Sequence, residues 1–101
     1  MTRIEQLEGL MASEPDDAFL NFGLAIELAK LERFDESVSR FDRVLEIDPK
    51  YVAAHHHKAI TLVSKGDVAA AKQELERGVQ AADACGEMHA KSEMSELLDS
   101  L

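Results

Sequence analysis

Residues 15–49 read PDDAFLNFGLAIELAKLERFDESVSRFDRVLEIDP, two apolar segments held between two prolines and parted by the polar break at Glu32 and Arg33. In both segments the apolar residues recur three and four positions apart, the spacing of a helix face and not the alternation of a half-buried strand. The first segment carries one stripe of Leu20, Leu24, Leu28 and Leu31 and another of Phe19, Phe22, Ile26 and Ala29. Two apolar faces require two packing partners or a groove. The second segment turns Phe34, Val38, Phe41, Val44 and Leu45 inward, with Asp35 as its expected N-cap and Pro49 as its stop. Helices are predicted over about 17–31 and 35–47, joined so tightly that they must lie antiparallel.

Working outward, a shift of 34 residues superposes Leu7 on Phe41 and Leu75, Leu10 on Val44, Met11 on Leu45 and Val79, and Pro15 on Pro49. The same shift places Ala25 on Ala59, Leu28 on Leu62, and Asn21 on His55 and His89. The chain is therefore an internal repeat. It predicts a helix over about 3–13, opened by a Thr2/Glu5 capping box, and another over about 51–64 on Tyr51, Ala54, Ala59, Leu62 and Val63. A fifth runs from about 67 to 84 on Val68, Ala71, Leu75, Val79 and Ala82, and a sixth from about 87 to 100 on Met88, Met94, Leu97, Leu98 and Leu101. Lys65, Gly66 and Asp67 supply a turn and a cap, and Gly86 a left-handed closure. No strand is predicted. The fold class is all-α, about six helices in a stack of antiparallel hairpins.

The spacing resembles the tetratricopeptide repeat, whose 34-residue pattern is W-x2-L-G-x2-Y…A-x3-F…P. Its positions are filled by Asn21, Leu24, Ala25, Leu28, Ser37, Phe41 and Pro49 in a first repeat, 18–51, and by His55, Lys58, Ala59, Leu62, Ala71, Leu75 and Asp83 in a second, 52–85. Residues 1–15 resemble the second helix of a preceding repeat and act as an N-terminal cap; residues 86–101 form a C-terminal capping helix, all within one domain, 1–101. The departures are the absence of Trp, Glu32 where an inter-helix glycine is common, and Lys58 where Leu is usual. The resemblance implies a right-handed superhelical stack with a concave face that binds proteins or peptides. Carried over by position, it places Phe19, Phe22, Ile26, Ala29 and Lys30, then His56, Ile60, Val63 and Ser64, then Ala90 and Met94 along that face. Chaperone-binding members clamp a terminal carboxylate with Lys, Asn and Arg; Phe22, Ile26, His56, His57 and Ile60 stand at the matching positions, so no such clamp is expected. The expected ligand is an apolar or amphipathic segment anchored by Phe22 and Ile26, with basic flanks. The alternative is that these side chains fill their own groove.

The charge is 11 Lys and Arg against 20 Asp and Glu, net −9, and neither half of the chain is basic. Such a surface disfavours nucleic acid and anionic membranes, both of which need a basic patch. No apolar run approaches the roughly 20 residues of a membrane span. The single cysteine, Cys85, has no intramolecular partner, and a reducing cytoplasm is the expected setting. Asp83 and Glu87 beside it oppose a thiolate, and no phosphate loop or nucleophile elbow exists, so neither catalysis nor a cofactor is expected. His55, His56 and His57 point in three directions at about 100° per residue. Metal binding is not expected: His55 is predicted between paired helices, and His56 and His57 towards the groove, where they would make binding pH-sensitive. The remaining carboxylates are expected on solvent faces. Gly9, Gly23 and Gly78, inside helices, predict close helix crossings. The function expected is that of a non-enzymatic interaction module or adaptor; the competing class is a homodimer formed through the groove or through Leu97, Leu98 and Leu101.

Overall fold

Three helices begin on side chains that satisfy free backbone N–H groups. Thr2 accepts from the Glu5 backbone at 3.1 Å while Glu5 accepts from the Thr2 backbone at 3.3 Å. Asp17 accepts from Leu20 at 2.9 Å and Asp67 from Ala70 at 3.1 Å. Three junctions close in the same way, by a bond from the N–H of one residue to the carbonyl five positions back: Arg33 to Leu28, Asp67 to Leu62 and Glu87 to Ala82. Each needs a left-handed residue just before the donor. Gly66 and Gly86 fill two of these places at φ 97° and 75°, and Glu32 fills the third at φ 60°. The computed structural model describes residues 1–101, with α1 (Arg3–Ser13), α2 (Ala18–Lys30), α3 (Phe34–Ile47), α4 (Val52–Lys65), α5 (Val68–Cys85) and α6 (Met88–Ser100). One expectation is corrected here. The N-cap of α3 is Arg33 and not Asp35, because the left-handed turn at Glu32 lets the helix start one residue after Arg33 and draws Phe34 into its first turn. Asp35 and Glu36 lie in that turn, where the helix dipole favours carboxylates.

Consecutive helices pack as antiparallel neighbours, giving an all-α right-handed superhelical stack of hairpins. In addition α2 touches α4 and α4 touches α6, whereas α1, α3 and α5 do not touch one another. One layer is drawn together and the other splayed, so the face of α2, α4 and α6 is concave. The shortest dimension, 18 Å, fits two layers of helices each about 10 Å across.

The core is divided along the stack. Leu7, Leu24 and Leu28 join α1 to α2; Ala25, Phe41, Val44 and Ala54 join α2 and α3 to α4; Val52, Ala59, Leu75, Ala82 and Met94 join α4 and α5 to α6. The small residues Ala25, Ala54, Ala59, Ala71 and Ala82 are fully buried, and Ser37 uses its hydroxyl to donate to the Ala25 carbonyl at 2.7 Å. Of the three helix-interior glycines, Gly78 marks a tight crossing, since a methyl group there would lie 2.5 Å from Met94 Sδ and 2.8 Å from His55 Cβ. Gly23 meets Leu7 at an ordinary 3.4 Å, and Gly9 faces open space, so the expectation of a close crossing fails at Gly9. Leu97, Leu98 and Leu101 pack against the third cluster, which accounts for that stripe within the chain.

Candidate functional site

Rings contributed from three elements meet where α2 approaches α4. Phe22 of α2 meets Phe41 of α3 edge-on at 5.8 Å, Tyr51 at 5.1 Å and His57 of α4 edge-on at 5.4 Å. His57 also stacks near Phe41 at 6.4 Å and lies 5.9 Å from His56. Burial, reinforced by neighbouring His56, pushes the His57 imidazole below the usual histidine value, which keeps the ring neutral against its aromatic neighbours. Burial, with Asp48 and Asp17 adding to it, pushes the Tyr51 phenol up.

On the helices that supply these rings two large apolar side chains stand open: Phe19 of α2 is 70 % exposed and Ile60 of α4 41 % exposed. Phe22 and Ile26 are half-buried, packed against the middle core cluster, and so serve both core and surface. His56 and Val63 are half-buried, and Lys30 is exposed with its ammonium 3.3 Å from Glu27. Met94, expected on the groove, is fully buried in the third cluster and is removed from the set, because the terminal helix turns that side chain into the space above Gly78. Between the start of α4 and the start of α6 lies a cleft of about 900 Å³, walled by Tyr51, Ala53, His56, His57, Met88 and Ala90, with Glu87 and Glu93 at its α6 side. A second concavity, about 580 Å³, separates α1 from α3 over Ile4, Met11, Leu24 and Leu28. No three His, Cys, Asp or Glu side chains converge to hold a metal ion. No helix is long and apolar enough to cross a membrane.

A buried ionic cluster was not expected from the sequence. Glu74 of α5, 2 % exposed, accepts from His55 Nδ1 at 2.5 Å, from Lys58 Nζ at 2.8 Å and from Arg77 at 3.4 Å; Lys58 also reaches Asp42 at 2.6 Å. Burial pushes the Glu74 carboxyl up, but the bonds and charges of His55 and Lys58 outweigh it and hold the group at about 2. Burial alone would lower the Lys58 ammonium, and Asp42 and Glu74 reverse that and raise it. Lys58, a departure from the usual Leu, is thereby matched, and no buried side-chain polar atom lacks a partner. The repeat held a signal for this cluster. Glu74 lies 34 residues after Arg40, and Arg40 donates to Asn21 at 3.0 Å just as His55, 34 residues after Asn21, bonds Glu74. His89, at the third such position, is exposed because no helix packs on that side of α6.

Comparison with known proteins agrees with this geometry. A sequence model of the tetratricopeptide repeat matches residues 28–92. The TPR repeat-containing protein PA0015 of Pseudomonas aeruginosa is 33 % identical over 98 residues, spanning 97 % of this chain and 93 % of that protein. The solution structure of protein BPP2914 from Bordetella parapertussis superposes with a TM-score of 0.87 at 31 % identity, over 99 % of this chain and 87 % of that one. The TPR2B domain of yeast Sti1, solved in a complex with pHsp70, superposes with a TM-score of 0.88 at 23 % identity, over 94 % of this chain and 76 % of that one, a likeness of fold. On the matched repeats and these relatives, the chain belongs to the tetratricopeptide repeat family.

Proposed function

We propose that this chain is a non-enzymatic interaction module that seats an apolar or amphipathic segment of another protein in its concave groove. The observation that carries the reading is the pair of open side chains, Phe19 on α2 and Ile60 on α4, the two helices whose rings Phe22 and His57 meet beside Tyr51. The complex of the Sti1 domain with pHsp70 supports protein binding on this architecture. Phe22 and Ile26 stand where a carboxylate clamp would need polar donors, so an internal segment fits better than a chain terminus. The acidic surface favours basic flanks on the partner. A cytoplasmic setting is consistent with the exposed free thiol of Cys85.

Panning the protein against a random peptide library, with calorimetry on the synthetic winners, tests this. Binding at one site per chain is expected, lost in a Phe19→Ala/Ile60→Ala variant that melts within about 3 °C of the parent, because exposed side chains contribute little to folding. Winners that bind the variant equally well would place the site elsewhere. Self-association through the same face is the competing reading. It predicts a mass that rises with concentration in light scattering and returns to monomer in the double variant.

A further inference from the structure

We propose that the cleft between the starts of α4 and α6 is a subsite for an arginine side chain of the bound segment; the proposal rests on the groove reading above. The cleft offers two unlike surfaces. Tyr51, Ala53, Met88 and Ala90 contribute apolar lining, with Met88 51 % exposed, while Glu87 and Glu93 line the cleft on its α6 side and Asp48 from the turn before α4. The lining holds three carboxylates against one lysine, Lys50, and three histidines, His56, His57 and His89. Glu87 has no ion-pair partner, and the only one Glu93 has is His89 at 3.3 Å, an exposed contact that holds charge only when the imidazole is protonated.

The chemistry selects among possible occupants. An anion would meet uncompensated carboxylates, and a wholly apolar side chain would strip water from Glu87 and Glu93 and return nothing. A long side chain with an aliphatic stem and a cationic head satisfies both surfaces, the stem along Met88 and Ala90 and the head between the carboxylates. Arginine fits better than lysine because its planar fork can bond two carboxylates at once and lie flat on the Tyr51 or His57 ring. The volume, about 900 Å³, exceeds one side chain and leaves room for the peptide backbone that carries it.

The test uses peptides selected from a random library on the intact protein and then synthesised with acetylated and amidated ends. A recurrent arginine is expected among them, and its replacement by the isosteric neutral citrulline should weaken binding about tenfold, the worth of one charge-assisted hydrogen bond. In Glu87→Gln/Glu93→Gln that penalty should shrink to under about twofold, as a coupled pair requires. The control Glu14→Gln/Glu76→Gln alters net charge equally at exposed positions outside the cleft and should keep the penalty. Winners without arginine, or a citrulline penalty indifferent to Glu87 and Glu93, overturn the subsite. If such winners still lose affinity in Phe19→Ala/Ile60→Ala, the groove reading stands alone. A library that yields no binder overturns both.

Discussion

Glu74 sets three donors against the burial of one carboxylate, and the balance has a sign that pH can read. A carboxyl held at about 2 when folded and near its ordinary 4.5 when unfolded stabilises the fold above 4.5. That contribution is lost as pH falls from 4.5 through about 2. Glu74→Gln should therefore cost about 3 kcal/mol in urea unfolding at pH 7, since it leaves Lys58 half-buried with Asp42 alone, and should flatten the acid limb of the stability curve. An unchanged limb would show that another carboxylate governs it. Glu32 is the opposite case. A left-handed conformation strains a residue that has a Cβ, so Glu32→Gly should gain about 1 kcal/mol, measured by the same unfolding midpoint. Gly78→Ala should lose about 2 kcal/mol despite the better helix propensity of alanine, because its methyl would collide with Met94 and with a His55 fixed by Glu74. The strain at Glu32 could be anticipated from the sequence as a missing glycine. The buried carboxylate was harder to see, because a single acidic residue in a helix looks alike on either face until the partner across the hairpin is placed.

Among elements, the helices were the most legible part, since period, prolines and caps agreed to within a residue or two. What sequence reading misjudged was which way individual side chains turn at the ends of the stack. Met94 follows the groove spacing, yet α6 has only α4 and α5 beside it and rotates that side chain into the core. At the other end α1 contacts α2 alone and buries only Leu7. Its amides should exchange with solvent faster than those of α3, α4 and α5, as expected of an outer repeat element with few buried contacts. Hydrogen exchange that gave α1 the protection of α4 would contradict this.

Across the whole molecule, the three core clusters each span one junction, and the chain is stable only as far as neighbouring hairpins cover one another. This architecture was readable because a 34-residue period fixes every helix by its counterpart. The site was only partly readable. The resemblance named a face, and of its residues Phe19 and Ile60 are exposed, Phe22, Ile26 and His56 half-buried and Met94 buried, whereas the cleft between the starts of α4 and α6 depends on how two helices pack, which no spacing encodes. Increasing ionic strength should weaken binding of basic peptides, while leaving the apolar anchor contribution intact, as titrations in about 0.05 and 0.5 M salt would show.

Tyr51 is the only tyrosine, and there is no tryptophan. Near-ultraviolet emission from the native chain thus originates almost wholly beside Phe22, at the mouth of the cleft. The molecule carries its own dye: a ligand arriving there can be followed without any label, and during denaturation the same light reports the middle junction while circular dichroism reports all six helices.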